Sequence, residues 1–238
     1  MRPLIDQILA LLTIAAIASV WGDTVLTAQT PPRRWEISWT VGAGRGGSAP
    51  VIAAAMSAAG LNSTIPAGCF IFACTGPIPH PVTYSGGPTG TFAVSYALRD
   101  GYALRVQWAT ADLGETMGYH EPWGYLFLRQ SVTTASVLAV INVGGLHAGA
   151  GPALHRPEIA RTDAQGGRWR QTRIGMTFHA GLRLPVRRRV FADVAIQYQL
   201  VGSMAAGPFT TSDSSATMPR TLIPFSHHTI KLGLGVRI

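Results

Sequence analysis

HHTIKLGLGVRI, residues 227–238, decides how the rest of the chain is read. Ile230, Leu232, Leu234, Val236 and Ile238 are apolar; Thr229, Lys231, Gly233, Gly235 and Arg237 stand between them. A repeat of two makes a β-strand with one apolar face. The alternation runs into the last residue, where most domains carry a frayed polar tail. The stretch therefore reads as a strand that must pair along its whole length, up to Ile238.

Composition narrows the setting. The chain has 238 residues, enough for one domain plus a processed segment. Charged residues make up only 13%, about half the usual share. Glycine is abundant at 27 residues and mean hydropathy is +0.23. This is the profile of a secreted or membrane β-protein. The net charge of +8 comes almost entirely from arginine, Lys231 being the sole lysine. The arginines are scattered, apart from the run Arg187-Arg188-Arg189, and no basic stripe carries interleaved aromatics. A nucleic-acid partner is therefore not expected, and anionic lipid headgroups fit the charge better. Arg187–Arg189 read equally as headgroup contacts or as a solvated turn.

Residues 1–28 read as an export signal. Arg2 supplies a positive charge and 8–20 an apolar core shorter than the roughly 20 residues of a spanning helix. Cleavage is expected after Ala28, with Ala18 as the other candidate. Residues 29–33 are then a linker, and 34–238 the folded domain.

Period-two segments recur through that domain. They cover 34–43, 91–99, 102–110, 123–141, 146–155, 173–184, 190–200 and the final stretch. Asp100-Gly101 is a two-residue hairpin signal. Short turns are expected at 100–101, 142–145 and 185–189. Long connections are expected at 44–89, with a helix over 48–60, around 115–122, over 156–171 and over 202–224. The register of 123–141 is ambiguous because both faces mix apolar and polar residues, so a bulge is expected near 130–133. Pro152 weakens the strand around it. Eight strands joined alternately by tight and long connections are the signature of an up-and-down transmembrane barrel.

Face chemistry supports that reading. Glu36, Arg105, Arg183, Asp193, Lys231 and Arg237 all fall opposite the apolar set. The polar face is rich in small residues, which suits a narrow lumen, whereas the apolar face carries tryptophans and tyrosines too bulky for one. Trp35 and Tyr102 are expected near the short-turn rim, and Phe92, Trp108 and Tyr198 near the long-loop rim, as two aromatic girdles.

Lys231, Gly233, Val236 and Ile238 resemble the C-terminal assembly signal of bacterial outer-membrane proteins, with Ile238 where an aromatic is usual. Together with the export signal and the eight strands, the chain resembles the small outer-membrane barrels of the opacity-protein and OmpA-barrel kind. The resemblance is one of pattern across 34–238. It implies an all-β, eight-stranded antiparallel barrel with a short helix in the first long loop, placed in the outer membrane of a bacterium with two membranes. It also implies a monomer in contact with outer-membrane lipid and lipopolysaccharide, the barrel-assembly machinery and an unidentified loop partner.

Candidate sites follow from chemistry. Cys69 and Cys74 in an exported chain read as a disulfide. Glu36, Arg105, Asp193 and Lys231 read as a paired polar network in the lumen, since unpaired buried charges are costly; a small gated pore is the other reading. Ser226-His227-His228 and His120-Glu121 invite comparison with lipid A-modifying barrel enzymes. Adjacent strand residues point to opposite faces, however, so Ser226 and His227 are poor partners. No catalytic, cofactor or metal site is expected. The reading is a structural or surface-interaction barrel, with a lipid A-modifying enzyme and a soluble lipocalin-like barrel as alternatives.

Overall fold

The computed structural model describes residues 35–61, 68–70, 73–75, 82–99, 101–120, 124–163 and 166–238. The export-signal and linker readings for 1–33 lie outside them. Eight long strands form one ring: β1 (Trp35–Gly46), β2 (Gly87–Arg99), β3 (Tyr102–His120), β4 (Gly124–Val143), β5 (Leu146–Arg161), β6 (Arg173–Arg187), β7 (Val190–Leu200) and β8 (His227–Arg237). Each is antiparallel to the next, and β8 closes on β1 from Glu36↔Arg237 to Gly46↔His227. The Ile238 N–H donates to the Trp35 carbonyl at 2.9 Å, and the Arg237 N–H to the Arg189 carbonyl at 2.8 Å. Closure satisfies backbone groups that hydrocarbon cannot.

The short turns lie on one rim. Arg99 pairs with Tyr102, and Val143 with Leu146 across Gly144-Gly145. Gly101 (φ +77°) and Gly144 (φ +60°) take the left-handed conformation that such turns require. The opposite rim carries helix α1 (Ser48–Ala58) and a doubly paired hairpin in which Ser203–Ala206 faces Thr221–Pro224 and Phe209–Thr210 faces Thr217–Met218.

Side chains alternate out and in. Trp39, Val106 and Ile196 are 66%, 54% and 40% exposed, so the apolar face looks outward. Together with Val41, Phe92, Trp108, Val137, Leu154, Ile174, Leu200 and the outer face of β8 it makes a continuous belt. Trp39, Phe92 and Trp108 are register neighbours across β1, β2 and β3. Trp35 lies against Tyr96 at the short-turn rim, with ring centroids 4.7 Å apart, and Phe178 lies 6.4 Å from Tyr198.

Several strand limits differ from the sequence expectation. β3 reaches His120 and β4 starts at Gly124, so the described part of the stretch expected as a loop around 115–122 is strand; residues 121–123 lie outside the described residues. β5 reaches Arg161, and Arg168–Arg170 folds back onto it, so the expected polar loop is mostly wall. Pro152 sits inside β5 with its ring outward. The β4–β5 ladder skips the two rungs beside it and resumes in the same register, because proline lacks an N–H.

The mixed faces of 123–141 have a different cause from the expected bulge. β4 alternates without a break, with Leu126, Leu128, Gln130, Val132, Thr134, Ser136, Leu138 and Val140 all buried. What changes along β4 is the chemistry of each face. Below, Val137, Ile141 and Val143 look out to the bilayer. Above, Arg129, Ser131 and Thr133 look out, and Leu126, Leu128 and Val132 look in. The bulge is on β3 instead: Asp112 pairs with Ser131 and Gly114 with Gln130, so Leu113 is the extra residue. Gly114 (φ +110°) makes the kink, and the inward set changes from odd to even numbers there.

The ring is narrow, and bulky inward side chains fit because glycines stand beside them. A Cβ on Gly181 would lie 2.7 Å from the His147 ring, one on Gly175 2.9 Å from His155, and one on Gly235 2.1 Å from Phe191.

Two outcomes are expected. Leu232→Arg, in the lipid-facing belt, should cost about 2–4 kcal/mol of unfolding free energy in lipid vesicles, read from a denaturant titration of tryptophan fluorescence. Gly235→Leu should cost about 1–3 kcal/mol in the same titration, and adding Phe191→Ala should restore part of that loss.

Candidate functional site

A column of polar side chains fills the lumen. From the short-turn rim upward, Arg183 donates to Glu36 at 2.7 Å and to Asn142 at 3.2 Å, and Arg237 donates to the same Glu36 at 3.0 Å. Arg105 then lies 3.8 Å from Asp193 and donates to Ser38 at 3.5 Å. The His147 Nε2 is 3.4 Å from the other Asp193 oxygen, and its ring stacks on His179 at 4.7 Å. Lys231 donates to Thr91 and Gln197. Thr134 bonds both Gln199, at 2.5 Å, and the Nδ1 of His155, at 2.9 Å.

The four lumen residues singled out in the sequence all point inward but do not form one cluster. Arg105 and Asp193 pair; Glu36 belongs to Arg183 and Arg237; Lys231 is held by neutral oxygens. Arg105, Asp193 and Lys231 are 1%, 0% and 2% exposed. Sequence reasoning left out His147, His155 and Gln199 as members of the column. For Gln199 the signal was parity, since it shares the face of Asp193 on β7; on β5 no face had been assigned from the sequence, so His147 and His155 had no such guide. The column leaves a cup of about 160 Å³ at the short-turn rim, lined by Glu36, Asn142, Arg183 and Arg237.

Above the column the lumen turns apolar and is plugged. Ile52 and Met56 of α1, Leu61, and Met204, Phe209, Met218, Ile223 and Phe225 of the hairpin pack on Leu113, Leu126, Leu128 and Ile159 of the inner wall. Gly118 makes room for the helix: a Cβ there would meet the Met56 sulfur at 2.9 Å. The hairpin crosses the mouth and is fastened to the top of β4. Ser212 donates its N–H to the Tyr125 carbonyl at 2.9 Å, and the Tyr125 N–H donates to the Ser212 hydroxyl at 3.0 Å. At the tip the Asp213 carboxylate accepts from the Ser215 N–H and hydroxyl and from the Thr211 hydroxyl, which holds it down at about 2.

The remaining sequence candidates fall as follows. Residues 69 and 74 are register partners in a small hairpin, Gly68–Phe70 with Ala73–Thr75, of which only the backbone is described. The Ser226 hydroxyl accepts the Val201 N–H at 3.2 Å, His227 is buried beside the Phe225 carbonyl, and His228 is exposed on the other face. The side chain of His120 and the whole of Glu121 lie outside the described residues. Lys231 and Gly233 face the lumen, and Val236 and Ile238 the exterior.

No family model and no curated protein matches the chain. Among solved structures it is similar to Neisserial surface protein A, at 13% identity over 86% of this chain and 97% of that one, with a TM-score of 0.47. It is similar to the outer membrane protein OprG of Pseudomonas aeruginosa, at 10% identity over 86% and 96%, with a TM-score of 0.48. It is also similar to Ail, the attachment invasion locus protein of Yersinia pestis, solved with the heparin analogue sucrose octasulfate, at 9% identity over 86% and 99%, with a TM-score of 0.44. The closed ring of eight antiparallel strands, its apolar exterior and its polar lumen are the architecture of a small bacterial outer-membrane β-barrel.

Proposed function

We propose that this chain is a sealed barrel with a structural or surface-interaction role of the adhesion type, exerted through the long-loop rim. One observation carries the reading: the lumen is filled below by buried polar side chains and plugged above by the packed core of α1 and the hairpin. A chain whose interior is occupied acts through its outside. In the lower lumen Arg105, Arg183, Lys231 and Arg237 face Glu36 and Asp193, an excess of positive charge that works against cation passage. Ser226 and His227 engage backbone partners in different places, which works against a hydrolytic dyad. The role belongs to the hairpin tip, where residues 212–215 are exposed and stand clear of the belt. In this reading the chain is monomeric. Lys231, Gly233, Val236 and Ile238 guide its assembly by the barrel machinery, and Cys69 and Cys74 pair within the first long loop.

The test is replacement of the exposed residues 212–215 by a Gly-Ser linker in cells displaying the chain. Surface attachment to host cells or matrix should fall to background, while the protein still migrates as a heat-modifiable band. Unchanged attachment overturns the loop-mediated role. In planar bilayers the purified chain should pass no resolvable single-channel current; steady current would restore the pore reading. Arg105→Ala should cost about 3–5 kcal/mol by leaving Asp193 unpaired, measured by denaturant unfolding in vesicles. The double variant Arg105→Met/Asp193→Leu should recover most of it.

A further inference from the structure

The outer wall above the belt has its own shape. β3, β4 and β5 rise past the last lipid-facing residues, and their outer faces stack in three register rungs. The lowest is Trp108–Ala135–Leu154, the next Thr110–Thr133–Arg156, the highest Asp112–Ser131–Glu158. The middle member of every rung is small, so β4 is the floor of a trough walled by Leu154, Arg156 and Glu158 of β5 on one side and by Trp108 and Asp112 of β3 on the other. Same-face rungs lie about 7 Å apart.

Two grooves run end to end along this trough and share Thr133 and Glu158. The lower, of about 410 Å³, joins Trp108, Ala135 and Leu154 of the belt to Arg156, Arg170 and Thr172. The upper, of about 650 Å³, is lined by polar groups that include Thr110, Asp112, Arg129, Ser131 and Arg168. Most of the charges here are already paired: Arg129 with Asp112, Arg170 and Arg168 with Glu158. Arg156 is exposed and has no hydrogen bond or ion pair among the described residues. It stands where the belt ends.

We propose that this trough binds one phosphorylated glycolipid of the outer leaflet. The order of chemistry along the wall is the order along such a molecule standing in the membrane. An acyl chain lies on Trp108 and Leu154. A phosphate meets Arg156, with Arg170 beside it, through charge-assisted bonds that a guanidinium makes well. The sugar lies against the hydroxyls and charged groups of the upper groove. An ordinary phospholipid ends near its phosphate and leaves the upper groove unused, which is why the glycolipid is the occupant argued for. The inference rests on the membrane-spanning reading of the barrel and adds a particular ligand site to it.

The test uses the full chain refolded in detergent micelles, with native mass spectrometry counting retained lipids. The probes are bis-phosphorylated lipid A, its dephosphorylated form, and phosphatidylglycerol. The wild type should retain lipid A about tenfold better than the dephosphorylated form, the equivalent of about 1.4 kcal/mol. Arg156→Ala and Arg156→Glu should each lower lipid A retention about tenfold or more, and Arg188→Ala at the short-turn rim should leave it unchanged. Ser131→Trp, which fills the upper groove, should lower lipid A retention and leave phosphatidylglycerol unchanged. Equal retention by the Arg156 variants, or equal retention of phosphatidylglycerol with no effect of Ser131→Trp, overturns the site. Heat-modifiable migration separates the two ideas: if it persists while selectivity is absent, only the site fails, and if the wild type lacks it, the barrel reading fails.

Discussion

Hydrocarbon offers no hydrogen-bond partner, so every N–H and C=O inside a bilayer must find one within the protein. The pairing of β1 with β8 meets that demand, because without it two strand edges would lie bare in lipid. Closing eight strands also fixes a narrow bore. The bore in turn dictates the interior: a histidine or phenylalanine fits only where a glycine stands next to it, as His147 does beside Gly181 and Phe191 beside Gly235. The charged groups admitted to this space are arranged the same way, each carboxylate set against arginines and the lysine against oxygens.

The barrel joins two solvent regimes in one continuous sheet. Through the bilayer it is apolar outside and polar inside. Above the bilayer three strands continue and the preference reverses, as in a water-soluble protein. The inner faces of β3, β4 and β5 need something apolar to pack against, and α1 and the 203–224 hairpin supply it. The plug and the tall wall therefore require each other, since neither buries its apolar face alone.

Much of the ring was legible in the chain. Period-two alternation in 227–238 and the Asp100-Gly101 and Gly144-Gly145 turns are local signals, and they placed the strands and the outward face. Glu36, Arg105, Asp193 and Lys231 were legible as inward by parity. Their partners were not: Arg183 meets Glu36 across 147 positions of sequence, a contact that depends on closure. The upper wall was misread for a physical reason. Leu126 and Leu128 face inward because a hairpin some 80 residues later covers them, and within 123–141 alone that looks like a lost register. The bulge at Leu113 has a mark in the sequence, Gly114, but that glycine lies beyond residue 110, where the strand was expected to end. Pro152 reads as a breaker, yet it costs this strand only two rungs.

The uneven height of the ring has a consequence in the plane of the membrane. β3 to β5 make a high flank bearing arginines and carboxylates, whereas β1, β7 and β8 end near the belt. A neighbour arriving from one azimuth meets a charged palisade, and one arriving from the opposite azimuth meets a low, greasy shoulder. The molecule thus has a compass bearing within its leaflet, and crowding around it depends on direction.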